Sequence, residues 1–229
     1  MFKKTIHTIF LLLATCQLYA QLDTSLVKEL EQVQNAYINA DELVMKVAVY
    51  THSNGKRTLL SSGQMAMDTS NYYSNLNGME VIINSKLVLN INHNQKTVFI
   101  QNFTNTQKGV LKSYKESYSG SLLKSLASVD SIKKIVLSQS EIKYQVYSKS
   151  DYYLSEFIID TKTNFIKKMI NYPSITDFAK VDKIEIDYVS VKQKISPQEK
   201  QLFSSENLIS IGTTIQLKGK LSGYSLINK

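Results

Sequence analysis

Of the three histidines, His7 lies in an apolar N-terminal stretch, while His52 and His93 each stand beside a turn-forming asparagine. A zinc site needs several N, S or O ligands at defined spacing, and neither histidine belongs to an H-x-H or H-E-x-x-H string. The sequence therefore predicts solvated turn histidines and no metal. Ser121-Leu122-Leu123-Lys124 has the spacing of a serine–lysine nucleophile. That spacing arises by chance in a chain rich in both residues, and the companion motifs are missing. Asp68, Glu80, Asp151 and Glu156 are the carboxylates available for glycoside hydrolysis, which needs a facing pair; nothing in their spacing pairs them. The eight glycines sit mainly in turns, so no phosphate-cradling loop is expected. These residues argue for no enzyme and no cofactor.

Charge and cysteine narrow the setting. The 229-residue chain carries 27 Lys plus Arg against 19 Asp plus Glu, yet Arg57 is the single arginine. Arginine is the preferred bidentate reader of phosphate and guanine, so nucleic acid is not the expected partner. A mild attraction to an anionic membrane surface is the alternative use of the lysines. Met1-Phe2-Lys3-Lys4, the apolar run centred on Ile9 to Ala14, and Ala20-Gln21 together predict a signal peptide over residues 1–20. The only cysteine, Cys16, would leave with it, which excludes a disulfide scaffold or a thiol nucleophile in residues 21–229. The expected product is periplasmic or secreted. Leu13-Ala14-Thr15-Cys16 supplies the alternative, a lipoprotein anchored through Cys16.

Residues 21–229 read as a single domain, since two prolines and no linker-like stretch divide them. Leu26, Leu30, Val33 and Tyr37 recur at helical spacing and predict an amphipathic helix over 22–40. After Ala40 the period falls to two. Met45, Val47 and Val49 alternate with Lys46, Ala48 and Tyr50, and Asn54-Gly55 and Asn77-Gly78 are two-residue hairpin turns. Leu87, Leu89 and Ile91 continue the meander. Leu122, Leu123, Leu126 and Val129 suggest a second helix, after which strands resume from Lys133 to Tyr188. Ser196-Pro197-Gln198-Glu199 is a capping box opening a short helix, and two strands, 208–217 and 220–227, should follow. The expected class is α+β: a large, mostly antiparallel sheet of roughly ten strands with two or three helices on one face.

The order of helix then meander resembles the LolA-like group, the periplasmic lipoprotein-carrier fold. Tyr72 to Ile100 carries most of the resemblance, with paired tyrosines, a turn into Gly78-Met79-Glu80-Val81-Ile82-Ile83 and the next hairpin. Phe157-Ile158-Ile159-Asp160 and Phe165-Ile166-Lys167-Lys168 resemble its later hairpin. The resemblance implies an incomplete β-barrel whose apolar concave face is covered by helices and receives acyl chains. Members of the group hold a cavity arginine that latches the lid and are rich in tryptophan. This chain has no tryptophan, and Arg57 follows a turn, so the latch is not carried over.

Met45, Val47, Val49, Met65, Met67, Leu87, Leu89 and Ile91 are the expected lining of a lipid cavity, with the methionines supplying a soft, adaptable surface. The first functional expectation is a non-enzymatic envelope protein binding an acyl chain, a lipid or a lipoprotein. The alternative is a structural or interaction protein of the envelope with a solidly packed core and no ligand. A cavity of roughly 300–1,000 Å³ between helix and sheet would favour the first, and its absence the second.

Overall fold

The computed structural model describes residues 24–102, 129–148, 153–172, 181–212 and 214–227. Helix α1 (Thr24–Ile38) precedes strands β1 (Leu43–Ser53), β2 (Lys56–Met67), β3 (Tyr72–Leu76), β4 (Met79–Ile83), β5 (Leu87–Asn92) and β6 (Thr97–Asn102). A second run follows: β7 (Ser131–Ser138), β8 (Glu141–Ser148), β9 (Tyr153–Asp160), β10 (Ile166–Tyr172) and β11 (Lys183–Lys192). The C-terminal segment contains α2 (Pro197–Lys200), a 3₁₀ turn (Gln201–Phe203), the small hairpin β12 (Ile209–Ile211) and β13 (Ile215–Leu217), and β14 (Ser225–Ile227).

Twelve strands form one sheet in the order β14-β6-β5-β4-β3-β2-β1-β11-β10-β9-β8-β7. Two meanders therefore fan outward from a seam where β1 pairs antiparallel with β11. Short connections explain this order, because consecutive hairpin strands lie side by side. Asn54 and Gly55 (φ 51° and 74°) and Asn77 and Gly78 (φ 56° and 73°) adopt the left-handed conformations that two-residue hairpin turns require. Among the described strands only β14 pairs in parallel, with β6. Among the described residues the sheet is open, ending at β14 and β7.

Each face has its own core. On one, Leu30, Val33 and Tyr37 of α1 pack against Met45, Met67, Tyr72, Phe157 and Ile159. On the other, Ile195, Phe203, Ile209 and Leu221 of the C-terminal segment cover Val44, Ile82, Leu87, Leu89 and Ile91. The two described α-helices thus lie with opposite faces, rather than two or three sharing one. The helix expected around Leu122 falls outside the described residues. Helix α2 begins at the expected capping box: Ser196 Oγ accepts from Glu199 N at 3.2 Å, and the Glu199 carboxylate accepts from Ser196 N at 2.9 Å. The strand expected over 208–217 is instead the β12–β13 hairpin. The one expected over 220–227 shortens to β14, because Gly219 (φ 54°) opens a 3₁₀ turn through Leu221.

Candidate functional site

Alternation along β1 points Met45, Val47 and Val49 to the face that carries α1. Cross-strand register completes the wall. Met45 lies opposite Met65, and Met65 opposite Ser74. On the other side of β1, Val47 faces Tyr188 and Val49 faces Ile186. These side chains surround a mainly apolar cavity of about 200 Å³ on β1, β2, β3 and β11. Its described lining comes entirely from strands, so it lies beside the helix rather than between helix and sheet. Its volume is also below the range expected for a complete small-molecule site.

Two local irregularities shape this region. The β1–β11 register shifts between Lys46 and Val47, so Val189 becomes an extra, 66% exposed residue and Tyr188 is set opposite Val47. Gly63, opposite Val47, passes so close beneath β3 that a Cβ there would lie 2.2 Å from the Asn75 carbonyl oxygen and 2.8 Å from Leu76 Cδ1. Only a residue without a side chain lets β3 cross here.

The expected lining residues separate into three positions. Met45, Val47, Val49 and Met65 line the cavity together. Met67 is buried in the same core, packed among α1 residues. Leu87, Leu89 and Ile91 belong to the opposite core, under the C-terminal segment, and it is Val88 that joins the α1 core. Strand β5 is apolar on both faces, so its alternation carries no label for which face meets the helix.

Both histidines depart from the solvated turn expectation. His52 Nε2 lies 3.1 Å from Glu185 Oε2. Arg57 donates to Glu185 Oε1 from Nε and Nη2 at 3.1 and 2.8 Å, and to Asp187 Oδ2 at 2.6 Å, while its guanidinium lies 3.3 Å from the Tyr50 ring centroid. Lys168 Nζ adds a contact to Glu185 at 3.1 Å. Burial alone would raise the Glu185 carboxyl, but hydrogen bonds from Arg57 and Lys168 hold it below the usual carboxylate range. Since Tyr50 pairs with Glu185 one step beyond the Val49–Ile186 pair, this network lies on the face opposite the cavity. Arg57 therefore clamps the β1–β2 hairpin to β11.

His93 sits in a second network. Its Nε2 lies 2.8 Å from Glu80 Oε2 and its Nδ1 lies 2.9 Å from the Tyr224 hydroxyl. Lys220 Nζ donates to Glu80 Oε2 at 2.7 Å, and Glu80 is 2% exposed. Burial, then the Glu80 charge, raises the Tyr73 phenol. The group ties the C-terminal segment to the β4–β5 hairpin. Glu80 stood in the sequence as one polar residue in an apolar strand, and its distant partners had no local signal. The other carboxylates are also occupied apart: Asp68 accepts from Ser70 N and Asn71 N at 2.7 Å, and Glu156 accepts from Gln145 Nε2 at 2.6 Å. Asp151 and the Ser121–Lys124 string fall outside the described residues.

Helix α1 is fixed to the second meander. Glu29 accepts from the Tyr144 hydroxyl and from Lys134 Nζ at 2.8 Å. The Tyr37 hydroxyl accepts from Ile166 N at 3.0 Å, with Phe165 edge-on to its ring. Burial and, next, Tyr188 push the Tyr37 phenol upward.

No family model and no curated protein matches the chain. Solved structures that are similar include an uncharacterized conserved protein from Thermus thermophilus, at 9% identity and a TM-score of 0.46 over 89% of this chain and 99% of that one. Another is the MucA/MucB complex of Pseudomonas aeruginosa, at 13% identity and 0.45 over 83% of this chain and 62% of that one. A third is a LolA superfamily protein from Nitrosomonas europaea, at 9% identity and 0.35 over 78% and 97%. The resemblance drawn from Tyr72 to Ile100 and this last structure name the same group. At such identities and TM-scores, none of them transfers a residue role or an activity to this chain.

Proposed function

We propose that this chain is a non-enzymatic envelope protein that takes the apolar part of a lipid or lipidated partner into the cavity formed by β1, β2, β3 and β11. One observation carries the reading: Met45, Val47, Val49 and Met65 line one mainly apolar space of about 200 Å³. Such a space gains by removing alkyl surface from water. Val47 is half-buried on its wall, which makes it the position to test. Val47→Lys introduces an amine that penalises a bound alkyl group, while an accessible mouth lets the amine reach water. The expected outcome is a folded variant that no longer carries apolar ligand in native mass spectrometry and no longer takes up an uncharged fluorescent probe.

A second reading, an interaction protein of the envelope without ligand, is favoured by the cavity's volume, below roughly 300 Å³, by its place beside the helix rather than under it, and by the β1–β2 hairpin. Leu59 and Leu60 are 55% and 63% exposed, beyond the reach of β3, which pairs with β2 only from Gln64 to Met67. A wild-type protein free of ligand and unresponsive to the probe, together with an unfolded Val47→Lys, would replace the first reading with this one.

A further inference from the structure

The cavity's size and lining narrow what can enter it. An engineered apolar cavity of roughly 150 Å³ holds one benzene ring, so a space of about 200 Å³ admits a group of about that size, roughly six or seven heavy atoms. Two acyl chains side by side do not fit. The described lining is also uncharged. Its polar members, Gln64, Ser74, Asn75 and Tyr188, carry amides or hydroxyls. Of the described cations near these strands, none lines the cavity: Lys46 alternates with Met45 and Val47 and is exposed, and Arg57 and Lys168 face Glu185 and Asp187 across the sheet. A carboxylate or phosphate drawn into this space would lose water without gaining a counter-ion from its walls.

Resting on the binding reading above, we infer that the site takes an uncharged, single-chain or single-ring segment of about six or seven heavy atoms, matched to the volume as above. Longer chains insert one end and leave the remainder outside. The methionines supply a local reporter. Met45 and Met65 line the cavity, whereas Met67 and Met169 belong to the α1 core without lining it, and Met79 is exposed.

The test is a titration of the purified protein, its methionine methyls labelled with carbon-13, with straight-chain alcohols of about four to twelve carbons and the matched carboxylates. Burying one methylene is worth roughly 0.8 kcal/mol, so affinity should rise about fourfold per carbon and level off after about six or seven. Shifts should centre on Met45 and Met65, and pentanol, short enough to enter whole, should bind at least about tenfold tighter than pentanoate, a difference of roughly 1.4 kcal/mol. Affinity still climbing through dodecanol, or pentanoate matching pentanol, would overturn the inference while leaving the binding reading intact. Silence of Met45 and Met65 toward every alcohol and carboxylate would end both. Val47→Phe fills the cavity and should abolish the octanol response; should it fail to fold, the chain-length series on the unsubstituted protein still decides.

Discussion

The two meanders differ in how many faces they bury. In the first, β4 and β5 are covered on both sides, by α1 and its neighbours on one face and by the C-terminal segment on the other. Adjacent residues are accordingly both buried: Ile82 and Ile83 are each 1% exposed, and Leu87 and Leu89 flank a Val88 that is also buried. In the second, the face opposite α1 carries polar networks. Lys143, Gln145 and Glu156 meet there, as do Lys168, Glu185 and Asp187. Two-sided burial demands continuous apolar runs, whereas a half-covered sheet tolerates alternation. The first meander is held mainly by the hydrophobic effect. The second combines one apolar face with charged cross-strand bonds, and the cavity lies where the two meet.

The largest expected effect is on the first meander. Leu89 is fully buried under the C-terminal segment, so Leu89→Ala should cost about 2–5 kcal/mol by lost transfer energy and cavity formation. Val136, 69% exposed on β7, the outermost strand of the second meander, should change by less than about 0.5 kcal/mol on replacement by alanine. Urea unfolding midpoints compare the two directly, and equal costs would erase the distinction.

A smaller effect is expected at the hairpin beside the seam. A Cβ at Gly55 meets no atom within 4 Å, so Gly55→Val tests backbone strain alone. Its φ of 74° is costly for a β-branched residue, by about 1–3 kcal/mol. An unchanged unfolding midpoint would mean that the hairpin contributes nothing to the joint between the meanders.

The effect expected on the polar face is of similar size and depends on pH. Glu185 is held below the ordinary glutamate value of 4.5 in the folded chain. Its contribution is therefore present above the unfolded value and is lost as pH falls from about there through the lowered folded value. Glu185→Gln should reduce stability at neutral pH, by about 1–3 kcal/mol for a charge-assisted hydrogen-bond network, and flatten the acid limb of the stability profile. Thermal melts between neutral pH and the acid transition measure both. If the variant keeps the wild-type acid limb, the network contributes no pH dependence.

Much of the fold was legible because its signals are local. Asn54-Gly55 and Asn77-Gly78 specify positive φ at adjacent residues whatever surrounds them, and Leu30, Val33 and Tyr37 mark one helix face within three turns. The candidate site was legible only in part. Met45, Val47 and Val49 could be placed together because one strand presents every second residue to one face, and Met65 joined them through the tight hairpin. The same alternation puts Leu87, Leu89 and Ile91 on the wrong face, because a strand apolar on both sides reads alike either way up.

By itself, the sequence determined the strand meander, its turns, the capping box at Ser196 and the chemistry of each candidate side chain, since these depend on residues a few positions apart. Tertiary structure alone decided which face the C-terminal segment covers, that His93 meets Glu80 and Tyr224, and that His52 and Arg57 meet Glu185. It also decided that Gly63 lets β3 cross beside the cavity. Those outcomes join residues far apart in the chain, and no local propensity encodes a contact whose partner is distant; it forms only when the packing of both sheet faces fixes where each segment lies.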